Sequence, residues 1–181
     1  NEEVKKDLSW LTPSYFEMLM LTLLKNKYGD KYEAYHTGGS GDSGVDGIIV
    51  KDDKLVAVLQ CKSGDIRTSD VNKLVKEIRE GIPYNKEDYE IYIATRGNYK
   101  NRDKNTDEKD KVRDNENSSE KHCWGYLYKD KDNEKIHACI LDKKDIMTKL
   151  RELGSVKLQK LFQDEAIKEA CENVNLKSDN K

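Results

Sequence analysis

Residues 55–59 read Leu-Val-Ala-Val-Leu without a polar interruption. A strand that is apolar on both faces belongs inside a sheet covered on both sides, so this run predicts a central strand of a layered α/β domain. The strand does not stop there, because Gln60-Cys-Lys62 extends it. Upstream, residues 45–50 read as a second strand, joined to the first across Lys51-Asp-Asp-Lys54, a hairpin turn.

The flanking segments supply the covering layers. Thr12 followed by Pro13 predicts a helix start and Gly29 its stop, with Phe16, Leu19, Met20 and Leu23 as the buried stripe. Residues 32–36 form a candidate first strand, and residues 37–44 are almost wholly turn formers. Thr68, Ser69 and Asp70 can cap a second helix carrying Val71, Leu74, Val75 and Ile78, ended by Gly81 and Pro83. Strands are expected over 89–95, 123–128 and 136–141, and Asp142 can cap a helix bearing Ile146, Leu150 and Leu153. A last amphipathic helix is expected over 156–174. The order predicts one α/β domain over residues 1–154, a mixed central sheet flanked by helices, followed by a helix and polar tail over 155–181.

Composition bounds the function. Charged residues make up 38% of the 181 against 35% hydrophobic, so part of the chain must be solvated. Residues 98–121 fit that requirement, since Val112 is their sole aliphatic side chain, and they read as a polar insertion. The formal net charge of −2 lacks the positive excess of a stand-alone nucleic-acid binder. The four cysteines (Cys61, Cys123, Cys139, Cys171) contain no CxxC pair, which argues against a zinc site or a disulfide framework and favours free thiols. No apolar run reaches membrane-spanning length and no signal peptide opens the chain. These features predict a soluble cytoplasmic protein without a membrane partner. A start at Asn1 rather than Met further suggests excision from something longer.

The chemistry concentrates where the hairpin opens. If the turn centres between Asp52 and Asp53, residues whose numbers sum to about 105 face each other, which sets Asp46 beside Leu59 and Gln60. Gln60 and Lys62 share one strand face, and Cys61 points into the opposite, packed one. A carboxylate, a carboxamide and an amine thus converge. A carboxylate with neighbouring carbonyl oxygens suits Mg²⁺, and an amine beside the metal suits phosphodiester hydrolysis. Cys61 would add at most its backbone carbonyl.

Phe16-Glu17 on the first helix, Gly41-Asp-Ser-Gly-Val-Asp-Gly47 and Gln60-Cys-Lys62 together resemble the Mrr-type branch of the PD-(D/E)XK, or restriction endonuclease-like, nucleases. That branch also supplies nuclease domains fused to bacterial antiphage defence proteins. The resemblance covers roughly residues 14–95 and extends to the strand and helix over 136–153. It implies a restriction endonuclease-like core with Asp46 as main metal ligand and Gln60, standing where an acid is usual in the wider superfamily, helping to form the metal site. It makes Lys62 the catalytic amine and Glu17 an accessory acid. Ser43 stands where the family more often has Gly. Mg²⁺, replaceable by Mn²⁺, is the implied cofactor and DNA the substrate, within a restriction or antiphage system whose sensing or motor module lies outside this chain.

Other residues have weaker claims. Asp42 is foremost a loop former, and His36 is expected to be structural or exposed more than part of the site. Arg67, Lys73 and Arg96 are candidate phosphate contacts. An RNA-cleaving enzyme of the same fold and a catalytically silent nucleic-acid-binding or assembly domain are the rival functions. The last helix is a candidate element for a homo-oligomer.

Overall fold

The structure, a computed structural model, describes residues 8, 11–37, 44–82, 89–102, 122–129 and 136–162, with His137 and residues 155–162 described by backbone alone. The elements run α1 (Pro13–Tyr28), β1 (Glu33–His36), β2 (Gly47–Lys51), β3 (Lys54–Lys62), α2 (Thr68–Gly81), β4 (Glu90–Thr95), β5 (Tyr126–Lys129), β6 (Ile136–Leu141) and α3 (Lys143–Phe162). The six strands form one mixed sheet in the order β1-β2-β3-β4-β6-β5. β1, β2 and β3 are an antiparallel meander, β3 to β4 and β4 to β6 are parallel, and β5 closes the far edge antiparallel to β6. This is the α/β restriction endonuclease-like arrangement, a mixed sheet with helices on both faces.

The β2–β3 turn explains the meander's geometry. Lys51 pairs with Lys54 across Asp52 and Asp53, whose φ values of 52° and 62° are those of a two-residue turn matching strand twist. Asp tolerates this left-handed region better than most side chains. The pairing then slips by one residue between Ile49 and Val50, so that Gly47 faces Leu59. The expected register therefore holds beside the turn and shifts beyond the bulge, a change that a period of two makes consequential.

α1 begins as expected, with the Tyr15 N–H donating to Thr12 Oγ1 at 3.2 Å, and ends as the Gly29 N–H donates to the Lys25 carbonyl at 2.8 Å. Its burial exceeds the expected stripe. Met18, Leu21 and Leu24 are buried alongside Phe16, Leu19, Met20 and Leu23, because Leu8, Leu11 and the α3 side chains Ile146 and Met147 share its side of the sheet. α2 covers the opposite face through Val71, Leu74, Val75 and Ile78, packed on Val58, Ile91, Ile93 and Ile140. Its start is held by Asp70, whose Oδ2 accepts the Arg67 N–H at 2.8 Å.

One expectation is overturned. Cys123 and Cys139 are joined as a disulfide, with Cα atoms 6.0 Å apart, while Cys61 is free. No local motif announces the pair, since 16 residues separate them and Cys123 precedes β5 while Cys139 lies within β6. Cys171, Asp42, Ser43 and most of the 98–121 insertion lie outside the described residues. Gly154, at φ 71° and ψ 167°, breaks α3 into two helical pieces, at the boundary expected before the last helix. The apolar stripe expected beyond it falls on side chains that are not described.

The C-terminal part is locked by a polar cluster. Asp142 Oδ1 accepts the backbone N–H groups of Lys144 and Asp145 at 3.1 and 3.3 Å, and Oδ2 accepts that of Tyr99 at 3.3 Å. Arg102 Nη1 binds Asp142 Oδ1 at 3.1 Å and Asp145 Oδ2 at 2.6 Å. The Asp142→Ala substitution strands these donors in a buried place and should destabilise the fold by about 2–4 kcal/mol, measured by urea unfolding. A loss below roughly 0.5 kcal/mol, the ordinary range of surface substitutions, would show that the cluster does not hold α3 to the sheet.

Candidate active site

The site lies where β2 and β3 part at the open end of their hairpin. Asp46 immediately precedes β2, and its backbone continues the ladder by donating its N–H to the Leu59 carbonyl at 2.8 Å. Its side chain then turns along β3, where Oδ2 accepts the Cys61 N–H at 2.7 Å. Asp46 is only 6% exposed. On its other flank the Thr37 N–H donates to the Asp46 carbonyl at 3.0 Å, and Thr37 Oγ1 donates to the Val45 carbonyl at 2.5 Å. Thr37 and Val45 thus fasten the base of the glycine-rich loop.

Alternation along β3 sends Gln60 and Lys62 to the α2 face and Cys61 to the α1 face, where Cys61 packs against the core. Gln60 Nε2 donates to the Cys61 carbonyl at 3.3 Å. Gln60 Oε1 is buried and has no hydrogen-bond partner among the described residues. Gly44, at φ 67°, lies close against that oxygen; a Cβ there would approach it to 3.3 Å. Lys62 is exposed at the end of β3, and its ammonium has no partner among the described residues. It lines a cleft of about 270 Å³ with Gly64, Asp65, Asp70, Lys73 and Glu77.

Glu17 arrives from α1 with its side chain 14% exposed, and its Oε1 lies 3.2 Å from Nε2 of His36 at the end of β1. Burial pushes the Asp46 carboxyl up to about 6; the Cys61 N–H opposes this and the nearby Glu17 carboxyl adds to it. Burial also raises the Cys61 thiol, with Asp46 and Glu17 contributing. Two carboxyls crowded in a nearly dry place are a poor arrangement unless a cation is shared between them.

The donor set fits a hard divalent cation. It offers the Asp46 and Glu17 carboxyls, an unpartnered amide oxygen on Gln60 and the Cys61 carbonyl, all oxygen. Among the described residues no three His, Cys, Asp or Glu side chains group for metal binding, so a cation here would need the amide and carbonyl oxygens as well.

The sequence expectations sort as follows. Asp46 and Glu17 come together, and Gln60 and Lys62 project from the same end of β3 on its α2 face. His36, expected to be structural or exposed more than part of the site, is largely buried and contacts Glu17. Arg96 is not free for phosphate: its guanidinium binds the Leu11 carbonyl and sits 6.0 Å from the Phe16 ring centre. Arg67 and Lys73 are exposed, and Lys73 lines the cleft. Thr37 and Gly44 were not singled out, although their place in the turn-rich stretch marked them as loop residues.

The sign of the Asp46 shift gives a test. A folded pKa of about 6 against roughly 4 for an unfolded Asp means that the folded state holds this proton more tightly. Its stabilising contribution is full below about pH 4 and lost as pH rises through about 6. Asp46→Asn keeps an oxygen for the Cys61 N–H and removes the charge. In chelator it should therefore unfold at higher urea than the native chain at pH 8, by about 1–2 kcal/mol, with the gap closing near pH 4. Equal stability at pH 8 would mean that the acid is not strained by its surroundings.

The Mrr catalytic-domain family, described as restriction endonuclease, matches residues 8–112, more than half of the chain. No curated protein matches, and no solved structure matches.

Proposed function

Because the chain belongs to the Mrr restriction endonuclease family, a family of nucleases, we propose that it is a Mg²⁺-dependent endonuclease domain that hydrolyses DNA phosphodiesters. The observation that carries the metal-dependent reading is the buried, unpartnered Gln60 Oε1, one residue along β3 from the Cys61 N–H that holds the Asp46 carboxyl. An amide oxygen left without a donor in a nearly dry site costs free energy, and a cation would satisfy it. Asp46, Gln60 and Glu17 would hold the ion, with the Cys61 carbonyl behind them. A bound Mg²⁺, or Mn²⁺ in its place, would polarise the phosphate and acidify the attacking water.

The chain's own groups have distinct tasks. The Cys61 N–H fixes one Asp46 oxygen, and the other would be the one to hold a cation. Lys62, exposed and unpaired among the described residues, is placed to orient a water and to stabilise charge on the phosphate in the transition state. Gly44 keeps a side chain away from Gln60 Oε1, so that the phosphate backbone can approach.

The wider setting is proposed on the family alone: an effector of bacterial restriction or antiphage defence, driven by a sensing or motor module outside this chain. Placement in the cytoplasm rests on the DNA substrate, since the Cys123–Cys139 pair removes the argument from free thiols. No helix among the described residues is long and apolar enough to cross a membrane.

Plasmid cleavage in Mg²⁺ or Mn²⁺ tests the proposal. The native chain should nick or linearise DNA, while Asp46→Ala and Lys62→Ala each lose about 10²-fold or more in rate, the scale of losing one such group, with native circular dichroism. A ribose-matched RNA run in parallel should remain intact. Equal cutting by all three proteins would sink the site assignment, and cleavage of RNA alone would replace the substrate.

A further inference from the structure

The Glu17–His36 contact has no part in the chemistry described above, and it sits at the edge of the proposed metal site. α1 places Glu17 among buried neighbours, yet a Glu side chain has several torsions to fix, and the Asp46 carboxyl beside it repels it when both are ionised. Left alone, Glu17 would swing toward solvent. His36 is held on its strand by the ladder, paired across from Gly47, one residue from Asp46. It shares a sheet face with Ala34, which packs against the core that α1 covers. Its ring therefore points at α1, and Nε2 meets Glu17 Oε1 at 3.2 Å with both side chains largely buried. A carboxylate only accepts hydrogen bonds, so Nε2 carries the proton and donates.

We infer that His36 is a positioning residue that holds the Glu17 carboxylate turned toward Asp46, so that the acidic pair is preassembled for a divalent cation. This inference rests on the metal-dependent nuclease reading. His36 itself touches neither the ion nor the substrate. The arrangement has the form of an outer hydrogen bond that orients a metal-ligating carboxylate, a kind of contact whose loss commonly weakens metal binding by about 10–100-fold.

Mn²⁺ titration of the full chain, followed by electron paramagnetic resonance, reads this without activity. His36→Ala should weaken Mn²⁺ binding about tenfold, and His36→Gln, which can present an amide N–H at similar reach, should restore most of it. Because His36 acts through Glu17, adding His36→Ala to Glu17→Ala should cause no further loss. Mn²⁺ binding by His36→Ala equal to native would overturn the inference. So would additive losses in the double variant, or a His36→Gln that is folded by circular dichroism but as weak as His36→Ala. Asp46→Ala run alongside keeps the underlying reading separate: if it too binds Mn²⁺ like the native chain, the metal site itself is wrong and the inference falls with it.

Discussion

The hydrogen bond from the Cys61 N–H to Asp46 Oδ2, at 2.7 Å, ties the whole site together. It joins the end of one strand to the side chain of its neighbour at the point where the ladder stops. An acid 6% exposed would be expelled from most proteins, because burial costs a charged group several kcal/mol. Here the backbone of β3 supplies a donor in return, and β3 cannot move to withdraw it. Val56, Ala57, Val58 and Leu59 are all buried, so the strand is held from both faces. The apolar run is thus the anchor of the proposed site as well as of the core. Because alternation is strict, fixing the Cys61 N–H on Asp46 also fixes which way Gln60 and Lys62 project.

The site consequently draws on both layers of the domain. Glu17 and His36 reach it from the α1 side, Gln60 and Lys62 from the α2 side, with Asp46 at the strand end between them. Neither face could be repacked without shifting one half of the donor set relative to the other. The segment matched by the family ends at residue 112, yet β6 lies inside the sheet, pairing Cys139 with Tyr92 and Leu141 with Ala94. Without β6, the ladder edge of β4 would face water, and Ile91 and Ile93 would lose Ile140 from their cluster. The later strands and α3 therefore complete the core on which the nuclease segment depends. The Asp142 cluster and the Cys123–Cys139 link are among the fastenings of that part.

What could be read from the sequence was whatever obeys a local period or a local stereochemical rule. The apolar run 55–59, the Asp52-Asp53 turn, the Thr12-Pro13 start and the Gly29 stop are decided within a few residues, and the structure agrees with each. The one-residue slip at Ile49 was not legible, because a bulge is chosen by packing across strands and not by the residues that form it. The His36–Glu17 contact joins residues 19 apart, and Arg102 reaches Asp145 across 43. Such meetings are set by how a helix lies on a sheet. Glu17 had been marked by family likeness alone, while His36, lacking any motif, was weighed more as a structural or exposed residue than as part of the site.

Charge explains why such a site would depend on something outside itself. The cleft at Lys62 contains Lys73 as a second cation, but Asp65, Asp70 and Glu77 share its walls. With Asp46 and Glu17 close by, the local balance is acidic before a cation is bound. An approaching phosphate backbone meets repulsion there, and only a divalent ion would reverse it at the point of chemistry. Arg96 is tied to the Leu11 carbonyl. A surface of this kind can perform hydrolysis once DNA is delivered, but it gathers little DNA by electrostatic attraction. That division favours the proposed arrangement in which another module captures the duplex, so that this domain by itself cuts DNA more slowly than when DNA is presented to it.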